Sequence, residues 1–264
     1  MKLAEKIAIV TGSTQGIGAG IARELARCGA TVVVTSRDEN KARLAVERIC
    51  SQGGKAHAMP FNLENTEDLP KLIGETVATF KKLDILVNNA VSANTHTRLL
   101  DATYEQIQFV FNANITHTVA LTQLAYPHLK LSKGNIINIT SVVCNKHLNG
   151  IALYAIIKGA LLQMTRSLAS EWSADGIRVN AISPGFVRTQ RMVNLGISDK
   201  LVQKNYDHYR QFSPLGIGTP EDIAKMAVFL ASDDAAWITG SVFNVDGGYS
   251  ANGIPMASVD SSQA

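Results

Sequence analysis

Tyr154 and Lys158 stand at i and i+4 in the segment YAIIK. On a helix that spacing puts them one turn apart on the same face. An ammonium beside a phenol favours the phenolate and draws the phenol below its ordinary pKa of about 10. Such a tyrosine gives a proton to a ketone, or takes one from an alcohol, near neutral pH. The spacing alone is weak evidence, because many surface helices carry it. Ser141 adds weight. It follows the apolar run Gly134 to Thr140, which reads as a strand, so it falls at a sheet's carboxyl edge, where ligands bind in α/β proteins. Its hydroxyl can donate to the substrate oxygen that the tyrosine protonates.

A second group of residues has the chemistry of a phosphate cradle. TGSTQGIG, Thr11 to Gly18, lies between an apolar strand and an amphipathic helix. Gly12 permits a tight turn, Gly16 lets the backbone approach a pyrophosphate, and Gly18 lets the helix pack on the sheet. The helix start supplies free N–H groups and a positive dipole end. The second strand ends in Thr35-Ser36-Arg37-Asp38. An acidic residue there would select NAD through the ribose 2′-hydroxyl. Ser36 and Arg37 instead suit a 2′-phosphate, and Asp38 comes one or two positions late. The cofactor expected is therefore NADP(H) rather than NAD(H).

Positioning these groups requires strands alternating with helices. Apolar runs predict strands over Lys6–Thr11, Thr31–Thr35, Lys55–Met59, Asp84–Val87, Gly134–Thr140, Ile177–Ser183 and Val242–Val245. Helical spacing predicts Gly16–Cys28, Asn40–Ser51, Thr66–Phe80, one long helix over Thr103–Leu129, Ala152–Ser173 and Pro220–Ala231. Thr189 to Phe212 is mixed and reads as helical. Apolar strands separated by helices imply an α/β, Rossmann-type doubly wound parallel sheet of about seven strands, helices on both faces. No linker, repeat or low-complexity block divides the chain. Residues 1–264 read as one domain, with a substrate lid at about 188–214 and a small polar tail at about 250–264.

Composition excludes several classes. The 264 residues are 46% hydrophobic and 18% charged, enough for a sizeable core. The net charge of +3 is dispersed, with no basic run for nucleic acid. The opening apolar run, Ile7 to Val10, is too short for a signal peptide, and no stretch approaches the ~18 apolar residues of a membrane span. Cys28, Cys50 and Cys144 have no metal-like spacing and read as reduced thiols. The expected address is cytoplasmic, and no metal is expected. Cys144 reads as a small pocket-wall residue rather than a redox centre.

Several ordered motifs resemble the short-chain dehydrogenase/reductase family, from the TGSTQGIG turn to about Gly248. They are Asn88-Asn89-Ala90, Ser141, Tyr154, Lys158, SPGFVRT, TPEDIA and ITGSVFNVDGG. The resemblance implies catalytic roles for Asn114, Ser141, Tyr154 and Lys158. Tyr154 would exchange the proton, Ser141 orient the carbonyl and Lys158 bind the nicotinamide ribose. Asn114 would hold a water that links the lysine to solvent. The implied cofactor contacts are Gly12, Ser13, Thr14, Gly16, Ile17, Gly18, Ser36, Arg37, Asn62, Leu63, Asn89, Ala90, Tyr154, Lys158, Pro184, Gly185, Val187 and Thr189. Substrate contacts are expected from Val91, Ser141, Val143, Leu148, Tyr154, Phe186 and Met192, with Tyr206 and Tyr209 in the lid.

The sequence departs from the family in three places. Val91 replaces the glycine of NNAG and would narrow the space beside the cofactor. Asn62 stands where an aspartate often meets adenine. His117 replaces a glycine often found three residues after the catalytic asparagine, and reads as a packed helix or interface residue. The function expected is interconversion of a ketone or aldehyde and an alcohol with NADP(H). A 3-oxoacyl-carrier-protein reductase and a sugar or steroid dehydrogenase are the alternatives, with a non-catalytic NADP-sensing protein more remote. For the carrier, Lys130 and Lys133 argue weakly in favour and Asp175 against. The family usually assembles as tetramers through its two long helices, so a homotetramer is expected, with a dimer as the runner-up.

Overall fold

The computed structural model describes residues 1–92, 97–190, 193 and 196–252. The strands are β1 Ile7–Val10, β2 Thr31–Ser36, β3 Lys55–Pro60, β4 Ile85–Asn88, β5 Asn135–Ile139, β6 Arg178–Pro184 and β7 Val242–Val245. The helices are α1 Gly16–Arg27, α2 Glu39–Ser51, α3 Asp68–Phe80, α4 Tyr104–Phe111, α5 His117–Ser132, α6 Ala152–Trp172, α7 Asp199–Arg210 and α8 Pro220–Ala231.

The strands form one parallel sheet in the order β3-β2-β1-β4-β5-β6-β7. Successive residues of a strand face opposite sides. Val10, Val32, Val34 and Val87 therefore join one apolar cluster, with Ile21 and Leu25 of α1 and Ile223 and Ala227 of α8. Ile9, Val33 and Leu86 join the other, with Leu72 and Ile73 of α3 and Leu121 and Leu129 of α5. This is the doubly wound Rossmann-type fold. Winding runs outward from β1 to β3, then returns to start again at β4. That reversal leaves a crevice at the carboxyl ends of β1 and β4, where ligands bind in such sheets.

The single long helix expected over Thr103–Leu129 is two helices. A π-helical turn, Asn112–Thr116, separates α4 from α5. Asn114 lies in this turn, and its side chain supplies a physical reason for it. The amide donates back to the Val110 carbonyl at 2.8 Å and to Ser92 Oγ at 2.9 Å, while its oxygen accepts from Ser92 N at 2.9 Å. A side chain tied both to its own helix and to the chain after β4 favours a local widening over regular coil. Apolar periodicity runs through such a turn and does not reveal it. In the Thr189 to Phe212 stretch the described helix is α7. Among the described residues, no helix is long and apolar enough to cross a membrane.

Candidate active site

The crevice holds a cleft of about 400 Å³ lined by the loops after β1, β3, β4, β5 and β6, the carboxyl ends of β2 and β5, and the starts of α1, α2 and α6. Its floor is the glycine turn. Gly12 and Gly16 have φ of 64° and 56°, the left-handed region that a side chain strains. At Gly18 a β-carbon would run into the Asn89 amide and, at 2.5 Å, the Gly12 carbonyl. Asn89 is there because its amide donates to the carbonyls of Thr11 at 2.8 Å and Gly12 at 3.1 Å. Thr11 Oγ1 in turn accepts from the N–H groups of Asn89 at 2.9 Å and Ala90 at 3.0 Å. These bonds lock the β1 and β4 loops together and hold the turn open. The first turn of α1 contains no acidic residue, and among the described residues no side chain caps it. Its N–H groups and dipole thus suit the phosphates of a dinucleotide.

Ser36, Arg37, Asp38 and Lys41 meet at one end of the cleft. Asp38 caps α2 through Oδ1, which accepts from Lys41 N at 3.1 Å, and that backbone bond holds its carboxyl below the ordinary carboxylate range; its Oδ2 lies 3.6 Å from Lys41 Nζ. Lys41, which sequence reasoning missed, is a cation in the first turn of a helix, where the dipole disfavours one. That misfit was the available signal. Arg37 leans on Glu64 at 3.5 Å across the cleft mouth. Asn62 and Leu63 line the same end. Asn62 Oδ1 accepts from Glu64 N at 3.1 Å, so it also shapes its own loop.

Ser141, Tyr154 and Lys158 line the opposite end, beside Val91, Pro184, Gly185 and Thr189. Lys158 is only 2% exposed. Burying an ammonium costs several kcal/mol even after relaxation, so a lysine held here signals function. Its Nζ donates to the Ile139 carbonyl at 2.7 Å and lies 5.8 Å from the Tyr154 ring centre. Ser141 Oγ accepts from Val143 N at 3.4 Å, which leaves the hydroxyl proton as a donor. Burial pushes the nearby Cys144 thiol up, against thiolate chemistry at neutral pH.

A second pair, Tyr126 and Lys130 in YPHLK, has the same spacing. It lies near the end of α5, just before β5, at the amino edge of the sheet and away from the cleft. Tyr126 Oη donates to Asp175 at 2.6 Å, and Lys130 pairs with the same carboxylate at 2.8 Å. The Asp175 hydrogen bond pushes the Tyr126 phenol up, opposite to what proton transfer at neutral pH requires.

Six other expected contacts do not line this cleft. Ser13 turns into the sheet, donating to the Val10 carbonyl and accepting from Thr35 N at 3.0 Å. Asn114 sits behind the wall, its side chain committed to Ser92 and Val110. Val143 is buried and Val187 packs on the core. Leu148 is half-buried in its loop. Phe186 stacks on Tyr209 at 3.8 Å and meets Tyr249 edge-on at 5.1 Å. Tyr206 is a prop, accepting from Thr189 N at 3.0 Å. Met192 lies outside the described residues. Lys146 Nζ donates to the carbonyls of Tyr249 and Asn252, both at 3.2 Å.

A family model described as enoyl-(acyl carrier protein) reductase matches residues 12–250. An uncharacterized oxidoreductase of Methylorubrum extorquens is 39% identical, covering 94% of this chain and 98% of its own. A 3-oxoacyl-[acyl-carrier-protein] reductase of Aquifex aeolicus is 37% identical, covering 94% and 98%. A 7α-hydroxysteroid dehydrogenase solved with NADH and 7-oxo glycochenodeoxycholic acid is 32% identical, with a TM-score of 0.85 and coverage of 94% and 95%. The chain belongs to the short-chain dehydrogenase/reductase family. As a short-chain dehydrogenase/reductase it is an NAD(P)(H)-dependent oxidoreductase acting on carbonyl and alcohol groups of small molecules.

Proposed function

We propose that this chain is an NADP(H)-dependent carbonyl reductase or alcohol dehydrogenase in which Tyr154 is the general acid and base. The observation that carries the reading is one cleft with Ser36, Arg37 and Lys41 at one end and Ser141, Tyr154 and Lys158 at the other. The first group suits a 2′-phosphate, with one oxygen of Asp38 engaged as a helix cap. When bound, the nicotinamide supplies or accepts the hydride. Tyr154 Oη gives its proton to the carbonyl oxygen during reduction and takes it back during oxidation. Ser141 donates a second hydrogen bond to that oxygen. Lys158, anchored on the Ile139 carbonyl, holds the nicotinamide ribose and favours the phenolate. Asn114 fixes Ser92, and with it Val91, beside the reacting end; holding a water that links Lys158 to solvent is a further proposed role of Asn114.

Val91 borders the substrate end, narrowing it relative to a glycine, and favours a slender carbonyl compound over a broad one. The structure does not help a carrier-protein reading. Lys130 and Lys133 precede β5, and Asp175 precedes β6, so all three lie at the sheet edge opposite the cleft. An NADPH-oxidation screen over ketones, acyl thioesters, sugars and steroids tests the reading. Turnover of a simple ketone with NADPH supports it, preference for an acyl thioester or a steroid moves the substrate, and NADPH binding without oxidation of anything sinks catalysis.

The proposal extends to a cytoplasmic enzyme whose residues 1–264 form one domain, with the lid at about 188–214. It assembles as a homotetramer. Leu100, Tyr104, Phe109, Val119 and Ile156 are exposed apolar side chains on or beside α4, α5 and α6, the surface that such an assembly would cover. Light scattering should give about four times the 28.4 kDa chain mass. Twice that mass makes it a dimer, and a monomer refutes the assembly.

A further inference from the structure

His117 is the first residue of α5, immediately after the π-turn that carries Asn114. It is half-buried, and its Nδ1 lies 2.7 Å from the carbonyl oxygen of Leu63. A carbonyl only accepts, so this contact fixes the tautomer with the proton on Nδ1. The bond crosses 54 residues of sequence and joins the reacting-end helix to the loop at the other end of the cleft.

Among the described residues, Phe61 N donates to the Ser36 carbonyl at 3.0 Å, Asn62 N to Asp68 at 2.7 Å, Glu64 N to Asn62 Oδ1, and Asn65 N to the Asn62 carbonyl at 2.9 Å. The first bond ties the loop to β2; the other three are local, within the loop and the start of α3, and the Phe61 and Leu63 side chains are buried in the core. The loop supplies four consecutive cleft-lining residues, Phe61 to Glu64, and Glu64 carries Arg37. The Leu63 carbonyl is thus held from a helix outside the loop's own neighbourhood.

We infer that His117 is a positioning residue for the adenosine end of the cofactor: its imidazole N–H holds the Leu63 carbonyl and so sets the loop Phe61–Glu64. The inference rests on the reading of this cleft as the cofactor site. His117 touches no reacting atom. Removing its donor loosens the loop in the free protein and weakens dinucleotide binding, while kcat at saturating cofactor stays close to that of the unaltered enzyme.

The test compares His117→Asn with His117→Leu, side chains of similar size that differ in the donor. Amide hydrogen exchange of residues 61–68 is followed in the free protein, and NADPH and NADH are titrated by fluorescence. We expect faster loop exchange and about five- to ten-fold weaker dinucleotide binding in the Leu variant, with Asn restoring both to within about two-fold. Unchanged loop exchange in the Leu variant overturns the inference, as does an Asn variant that behaves like Leu. A cleft that binds neither dinucleotide would refute the cofactor reading, while the exchange result would still judge the His117 tether.

Discussion

Tyr154→Phe is expected to lower kcat by about 10³-fold while leaving NADPH affinity within about three-fold of the unaltered protein. The phenol oxygen is the only atom removed. The ring stays, so the cleft wall and the Lys158 ammonium 5.8 Å from the ring centre are kept. Ser141 still offers a hydrogen bond to the substrate oxygen, but among the described residues lining the reacting end no other phenol supplies the proton. Loss of one positioned general acid is worth about 10² to 10⁴ in rate. Stopped-flow oxidation of NADPH with the best ketone from the screen gives kcat, and fluorescence titration gives affinity. A variant that keeps more than a tenth of the activity would remove Tyr154 from the mechanism. The matching control is Tyr126→Phe, which should leave turnover unchanged, because Tyr126 is bonded to Asp175 at the opposite sheet edge.

Replacing Arg37 and Lys41 together by glutamine and alanine is expected to raise KM for NADPH by about 10- to 150-fold and to leave KM for NADH nearly unchanged. The range corresponds to a net loss of about 1.5–3 kcal/mol, the worth of one charge-assisted hydrogen bond, because solvent discounts the contribution of each exposed side chain. Both side chains line the cleft and extend into solvent, Arg37 at 63% exposure and Lys41 at 68%. Their attraction for a phosphate is therefore screened, and the NADPH preference should shrink as salt rises. Each has an acidic neighbour, Glu64 for Arg37 and Asp38 for Lys41, so a 2′-phosphate must compete with both carboxylates. An unaltered enzyme that prefers NADH, or a double variant that still prefers NADPH, contradicts the assignment.

Much of this fold is legible because its signals are local. Val33 and Val34 are both buried, on opposite faces of one strand, so the apolar run itself declares a strand covered twice. Pro220 with Glu221 and Asp222 marks a helix start that needs no tertiary partner, and Thr219 with Asp222 completes a capping box there. The break at Asn112–Thr116 is different. It depends on Asn114 bonding to Ser92 across the fold, and no window of neighbouring residues contains that information. The same holds at the site. Ser13 has the residue type of a phosphate ligand, yet β2 draws it inward through Thr35 N. Phe186 has the type of a substrate wall, yet Tyr209 occupies its face.

Tyr154 and Lys158 show where the division falls. The helix that holds them, the glycine turn, the strand that ends at Ser141 and the chemistry of a phenol and an ammonium one turn apart are all local features, legible in the residues. The chain also contains a second pair at the same spacing, Tyr126 and Lys130. The choice between the two pairs rests on the fold, because which end of a strand a side chain reaches depends on how the sheet is wound. Winding carries Lys158 to the carboxyl end of β5 and Lys130 to its amino end, where Asp175 neutralises it.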